Sequence, residues 1–140
     1  MVFTYFQNHV VTILYDDELQ LGTAIWNGFL SSEEFKEAVS ACLQLMEEYK
    51  ALRWLGDNRK LRAIRQSDQE WFVEYAFPRL AAGTLRRNAT VVSEDVFNKM
   101  AVEQLIKRAD NLGDMVIKEF DSVEDAIAWL NEPISFQDKE

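Results

Sequence analysis

The chain contains few of the residue types that metal sites and catalytic triads require. Its 140 residues include one cysteine, Cys42, and one histidine, His9. A single cysteine excludes an internal disulfide and a zinc site built from several cysteines. A single histidine argues against a His-based metal site, and no Asp, Cys or Ser pattern around His9 indicates a triad. We therefore expect neither a metal nor a cofactor.

Glycine is also scarce, which limits the kinds of nucleotide site that the chain can form. None of the five glycines belongs to a GxGxxG pattern or to a GxxxxGK pattern followed by Ser or Thr. No apolar run approaches the ~18 residues needed to span a membrane. The first residues lack the basic and then apolar pattern of a secretory signal, so we expect a cytoplasmic protein without a transmembrane segment.

Positive charge is rare overall but concentrated in one region. The net charge is −9, which disfavours DNA or RNA as a partner because binding phosphates requires basic surface. From Arg53 to Arg87, however, eight Lys and Arg residues stand against four Asp and Glu residues, a local charge of +4. This segment predicts either an anion-binding site or a solvated basic loop.

The hydrophobic pattern predicts an α/β fold. Short β-branched runs alternate with longer segments whose apolar residues have helical spacing. A further N-terminal strand at 2–6 is compatible with the pattern. The elements predicted in chain order are strands at 9–16 and 18–28, a helix at 31–49, a strand at 51–57, a helix at 67–82, a strand at 86–92, a helix at 94–110, a strand at 114–120 and a helix at 123–132.

Strands that alternate with helices indicate a largely parallel sheet, and the opening hairpin adds an antiparallel strand. We therefore predict a mixed, mostly parallel five-stranded sheet flanked by four helices, in the order β-β-α-β-α-β-α-β-α. Residues 1–132 are expected to form one domain, and the polar segment 133–140 to form a loose C-terminal tail.

Four stretches of the sequence carry a resemblance to known proteins, namely WLGDNRKL (54–61), DQEWFVEYAFPRL (68–80), ATVVSEDVFNKMAVEQL (89–105) and FDSVEDAIAWLNE (120–132). They resemble one family of small bacterial proteins, the SpoIIAA-like branch of the STAS fold. The resemblance implies a mixed sheet flanked by helices. It also implies kinship with regulatory domains that bind partner proteins and, distantly, with the lipid-binding CRAL-TRIO domains.

Antagonist proteins of this fold are phosphorylated on a serine at a helix start, in a motif resembling D-S-S-G. The matching stretch here is RQSDQEW, where Ser67 precedes Asp68 and no glycine follows. Serine begins each of the four predicted helices, which is typical of helix N-caps. The residues leave two interpretations of Ser67, a cap and a modified or ligand-binding serine, and favour the cap. The four serines are Ser31, Ser67, Ser93 and Ser122.

A basic loop is predicted at 58–66, between a strand and a helix. Arginine binds phosphate or carboxylate groups in a bidentate manner, and ligands of parallel sheets bind at the carboxyl ends of strands. The loop could therefore hold an anion, but the residues favour the simpler explanation that these charges are solvated or neutralised by acidic residues elsewhere. The candidate anion-binding residues are Asp57, Arg59, Lys60, Arg62, Arg65 and Ser67.

The helix at 67–82 has apolar residues on nearly every side. A helix on the outside of a sheet needs only one apolar stripe, so a second buried contact is expected. Three explanations remain open: a homodimer interface, a cover over an apolar ligand pocket, and burial within the monomer. Aromatic residues are typical of interfaces, which favours the first. The candidate interface residues are Trp71, Phe72, Tyr75, Phe77 and Leu80.

Taken together, these features predict a non-enzymatic STAS-like domain that regulates or binds another protein and forms a homodimer through the aromatic helix. The alternative is a carrier or sensor of an anionic, lipid-like amphiphile. In that case the basic loop at 59–65 would bind the head group and the helix at 67–80 would cover the tail.

Overall fold

The structure is a computed structural model that describes residues 1–62, 64–93, 95–108 and 112–134. It confirms the predicted alternation of strands and helices. The strands are β1 (Val2–Gln7), β2 (Val11–Asp16), β3 (Leu21–Gly28), β4 (Arg53–Leu61), β5 (Arg87–Val91) and β6 (Val116–Phe120). The helices are α1 (Ser32–Tyr49), α2 (Gln66–Ala82), α3 (Val96–Arg108) and α4 (Val123–Leu130).

The sheet is mixed and mostly parallel, as predicted, but it has six strands instead of five. Its order is β1-β2-β3-β4-β5-β6. The pairs β1–β2 and β2–β3 are antiparallel, and β3, β4, β5 and β6 are parallel to one another. The additional strand is β1, which pairs with β2 from Val2 opposite Asp16 to Gln7 opposite Thr12. The aromatic rings of Phe3 and Tyr5 pack on the same tyrosine of α1, Tyr49, and hold this edge strand to the core.

The two faces of the sheet are covered unequally. The main core lies between the sheet and helices α1 and α2, with Ile13 and Leu45 fully buried. On the opposite face, α4 packs on β4, β5 and β6 through a smaller cluster that includes Ala126 and Leu130. Because three crossover helices follow three successive parallel strands, the carboxyl ends of those strands all open at one edge.

The strand β4 is longer than predicted, which changes the position of the basic residues. It extends to Leu61 and pairs with β3 as far as Gly28. Arg59 and Lys60 therefore belong to the strand, as the predicted strand residue Asp57 does. The prediction of a basic loop at 58–66 was wrong for residues 58–61, whereas Arg62 and Arg65 lie between β4 and α2 as predicted. The hydrogen-bonded pairing with β3 outweighs the low strand propensity of the charged residues.

Two of the four predicted serine caps are present. Ser31 and Glu34 form a complete capping box at the start of α1, and Ser122 accepts a hydrogen bond from the backbone N–H of the residue three positions later. The prediction for Ser67 was wrong, because α2 begins one residue earlier, at Gln66. Arg65 occupies the cap position and makes no capping hydrogen bond with its side chain.

The start of α3 also differs from the prediction. Asp95, not Ser93, accepts the backbone N–H groups of Phe97 and Asn98, at 3.0 and 3.1 Å. Ser93 is buried and donates its hydroxyl to the backbone oxygen of Leu61, which ties the end of β5 to the end of β4. Most of the predicted tail, from residue 135 onward, lies outside the described residues.

Candidate interaction surface

A groove opens at the carboxyl edge of the sheet, where β3 and β4 end side by side. Asn27 pairs with Lys60, and Gly28 pairs with Leu61. The groove has a volume of about 660 Å³ and continues to the first turn of α3. Its lining contains both basic and apolar side chains, namely Arg59, Lys60, Arg62, Leu61, Val96 and Phe97, together with Asn27, Gly28 and Asp95.

Arg62 connects the basic and the apolar parts of this groove. Its guanidinium carbon lies 5.7 Å from the centre of the Phe29 ring, a cation–π distance. Its Nη1 atom lies 3.9 Å from the Asp95 carboxylate. The side chain remains more than half exposed, so these contacts orient the charge without removing it from solvent.

Large apolar side chains are exposed around the groove. Phe29 is 69% exposed and Phe97 is 78% exposed, and Val96 and Met100 are also exposed. The apolar spacing of the helix predicted at 94–110 places Phe97, Met100, Ala101 and Leu105 inward, and for Phe97 and Met100 that prediction was wrong. Helix α3 buries Ala101 and Leu105 as predicted, but it buries Asn98 with them in place of Phe97 and Met100. We call the four exposed apolar residues, with Lys60 and Arg62, the basic–apolar surface.

Three of the six residues predicted to bind an anion line this groove. Arg59, Lys60 and Arg62 line the groove, whereas Ser67 is exposed on the first turn of α2. Arg65 extends toward α1, where its Nη1 atom lies 3.4 Å from the Ser32 hydroxyl.

Asp57 is buried and held by Arg59. The Nε and Nη2 groups of Arg59 donate to the two carboxylate oxygens at 2.9 and 2.8 Å, and its backbone N–H donates to the same carboxylate. Burial alone raises the pKa of Asp57, but the hydrogen bonds and charge of Arg59 outweigh it and hold this pKa below its ordinary value. Asp57 therefore stays ionised and fixes the geometry of β4.

The aromatic helix α2 is largely packed within its own chain. Phe77 and Leu80 are buried, and Phe72 contacts the Phe77 ring edge to face at 5.3 Å. Trp71 is half-buried and stacks on the exposed Tyr75 ring at 4.8 Å. Burial within the monomer thus accounts for most of the apolar residues of α2. The stacked pair of Trp71 and Tyr75 is the part of this apolar pattern that faces outward.

A cavity of about 150 Å³ lies beneath α2, between the sheet and helices α1 and α3. The lining is apolar on the helical side, where Phe35, Phe72 and Phe77 face it. On the sheet side it includes Gly56 and Asn58 of β4. Leu61 lines both the groove and this cavity. The groove is also lined by charged side chains, whereas the described residues that line the cavity are uncharged.

Comparison with known proteins places this architecture in a family. Residues 22–131 match the family described as SpoIIAA-like. The chain belongs to the SpoIIAA-like family. The matched region contains β3 to β6 and all four helices, and therefore the groove, the cavity and the aromatic helix. No curated protein and no solved structure matched the chain.

SpoIIAA-like domains belong to the STAS type, which consists in general of non-enzymatic regulatory and protein-interaction modules. In this SpoIIAA-like chain, Cys42 is buried, and that burial raises the pKa of its thiol. Among the described residues, no group of three or more His, Cys, Asp and Glu side chains is placed to hold a metal ion. None of the described helices is long and apolar enough to cross a membrane.

Proposed function

We propose that this SpoIIAA-like chain is a non-enzymatic, cytoplasmic regulatory module that binds a partner protein at the basic–apolar surface. The observation that carries the proposal is the exposure of Phe97 in the groove lined by Lys60 and Arg62, together with the exposed Phe29 ring that Arg62 contacts. Clustered exposed apolar residues with a polar rim are typical of protein-binding sites. The proposal treats residues 1–132 as one binding domain.

The charge of the surface indicates the chemistry of the partner. Lys60 and Arg62 lie in the one strongly basic segment of a chain whose net charge is −9. An acidic partner segment is attracted there and repelled by the acidic remainder of the molecule. Two aromatic rings about the groove provide anchors for apolar side chains. The partner proposed is therefore an acidic, amphipathic protein segment, of the kind that binds as a helix in a groove.

A synthetic amphipathic peptide, with leucines at i, i+3, i+4 and i+7 and glutamates elsewhere, tests this proposal. Fluorescence anisotropy of the labelled peptide is measured against the whole protein at low and at physiological salt. We expect saturable binding that weakens as salt rises, and no binding of a peptide with lysines in place of the glutamates. Equal binding of the two peptides would contradict the charge argument.

A homodimer through α2 is a second proposal, supported by the Trp71–Tyr75 stack on the outer side of that helix. Arg79 lies over Tyr75, with its guanidinium carbon 5.1 Å from the ring centre, and also binds Glu47. Light scattering after size exclusion measures the mass directly. A dimer that Tyr75→Ser converts to a monomer supports the proposal, and a wild-type monomer at high concentration contradicts it.

The carrier of an anionic amphiphile receives less support from the geometry. It requires basic side chains at the mouth of the apolar cavity. The described residues that line the cavity are uncharged, whereas Arg59, Lys60 and Arg62 line the separate groove.

A further inference from the structure

The sheet forms one wall of the cavity beneath α2, which we call its floor, and a glycine at the centre of this floor contributes no side chain. Gly56 of β4 lies there, flanked along the strand by Trp54 and Asn58 and paired across the sheet with Ala24 and Thr90. A Cβ atom at Gly56 would come no closer than 3.8 Å to its nearest neighbours. The space above this glycine is therefore open, and it forms part of the cavity.

The polar groups of the floor are neutral hydrogen-bonding groups. They are the amides of Asn58 and Asn88 and the hydroxyl of Thr90. Asn58 and Thr90 are buried, and the Asn88 amide has only the Met115 sulfur, at 3.9 Å, as a hydrogen-bond acceptor in the described part of the chain. No Asp, Glu, Lys, Arg or His side chain is among the described lining residues.

A third neutral amide, that of Asn98, lies one helical turn from the cavity wall. Asn98 precedes Val102 by four residues and Leu105 by seven, so all three share one face of α3, and the last two line the cavity. The Asn98 side chain is fully buried, yet neither its amide nitrogen nor its oxygen has a hydrogen-bond partner among the described residues. Buried amides without partners are costly, and a bound ligand or water commonly satisfies them.

We propose that this cavity is a binding site for an uncharged, ring-sized molecule that carries a carbonyl, amide or hydroxyl group. The volume of about 150 Å³ suits a single ring, because apolar cavities of this size hold benzene-like molecules. The aromatic residues of α1 and α2 contact the ring. Asn58 and Thr90 bind the polar group, and a charged group is excluded because the site offers no counter-charge.

Three probes of similar size test separately whether the site requires a hydrogen-bonding group and whether it excludes a charge. Benzamide is neutral and polar, benzoate is anionic, and toluene lacks a hydrogen-bonding group. Binding to the whole protein is followed in ¹H–¹⁵N spectra, in which the side-chain NH₂ signals of Asn58 and Asn88 report directly on the floor. We expect benzamide to shift these signals and to bind more tightly than toluene, and we expect benzoate not to bind.

Two substitutions test the site without a charge change. Gly56→Ala adds one methyl group at a position where it meets only ordinary contacts, so the fold is retained and binding of both benzamide and toluene weakens. Thr90→Val removes the hydroxyl at nearly constant shape and should weaken benzamide binding about fivefold, with little effect on toluene. Thr23→Val is the matched control, because Thr23 is paired with Leu55 and so lies toward the opposite face of the sheet.

The outcomes are distinct from those of the partner-binding test, because the cavity and the groove are probed by different ligands. Weaker benzamide binding in Gly56→Ala and Thr90→Val, with wild-type binding in Thr23→Val, supports the proposal. The proposal is overturned if none of the probes shifts the Asn58 and Asn88 signals. It is also overturned if benzoate binds as well as benzamide, or if Thr90→Val and Thr23→Val behave alike.

Discussion

The guanidinium of Arg62 lies 5.7 Å from the ring centre of Phe29, at the edge of the sheet where β3 and β4 end. Contacts of this kind contribute roughly 0.5–1 kcal/mol at exposed sites. The pair holds a positive charge and an exposed ring at one position, which is the combination expected of a surface that binds an acidic and partly apolar partner.

The two serines Ser31 and Ser67 should differ in their effect on stability. Ser31 caps α1 through a complete capping box, so Ser31→Ala should lower the free energy of unfolding by about 1 kcal/mol. Ser67 is exposed and makes no cap, so Ser67→Ala should change it by less than about 0.5 kcal/mol. Urea denaturation of both variants measures the difference, and equal losses would contradict the observed start of α2.

The stabilising effect of Arg59 should depend on pH. Arg59→Gln leaves the buried Asp57 carboxylate without its charged partner and should cost about 2 kcal/mol at pH 7. The pKa of Asp57 in the folded wild type is lowered, so its contribution is present at neutral pH and is lost as pH falls through that pKa.

Denaturation of wild type and Arg59→Gln at pH 7 and at pH 3 measures this effect. The difference in unfolding free energy should shrink at low pH, where protonation neutralises the carboxyl group in the variant. Asp57→Asn is the control, since the same Arg59→Gln change in that background should show no such pH dependence. A cost of Arg59→Gln that is equal at both pH values would show that the ion pair is not its source.

Gly22 should not tolerate a side chain. It is paired across the sheet with Trp54, and a Cβ atom at Gly22 would lie 2.2 Å from Cζ3 of that indole. Gly22→Ala should therefore lower the free energy of unfolding by roughly 1–3 kcal/mol, because the buried indole must move. Gly56→Ala, on the neighbouring strand, meets no contact closer than 3.8 Å and provides the control. Equal stability of the two variants would contradict this packing.

The sequence predicted the fold well where periodicity and propensity agree. The alternation of helices and strands, the mixed sheet and the cap at Ser31 were all accessible from local patterns. The alternation of residues such as Leu19, Leu21 and Ile25 within 18–28 identified the strand β3. It did not identify the face of β3 that contributes to the main core. On that face Ala24 is fully buried, and Gly22 lies against the indole of Trp54, which fills the space that a side chain would need. No local pattern encodes such a contact between residues far apart in the chain.

The candidate site was harder to predict, because it depends on where elements end and on how one helix is rotated. The basic residues were recognised, but the extension of β4 to Leu61 arises from its pairing with β3. Phe97 was assigned to the core because it is apolar, whereas α3 buries Asn98 instead. Apolar residues are usually buried and polar residues exposed, and the buried Asn98 beside the exposed Phe97 reverses this preference. Such reversals are typical of functional sites.

The affinity of the acidic amphipathic peptide for Phe97→Ser, compared with Val2→Ser, tests the central claim most directly. Val2 is also an exposed apolar residue, but it lies on β1, three strands from β4. The account predicts about tenfold weaker binding for Phe97→Ser, as for an anchor residue, and unchanged binding for Val2→Ser. Equal affinity of the two variants would contradict it, as would a protein that binds anionic lipid vesicles but not the peptide.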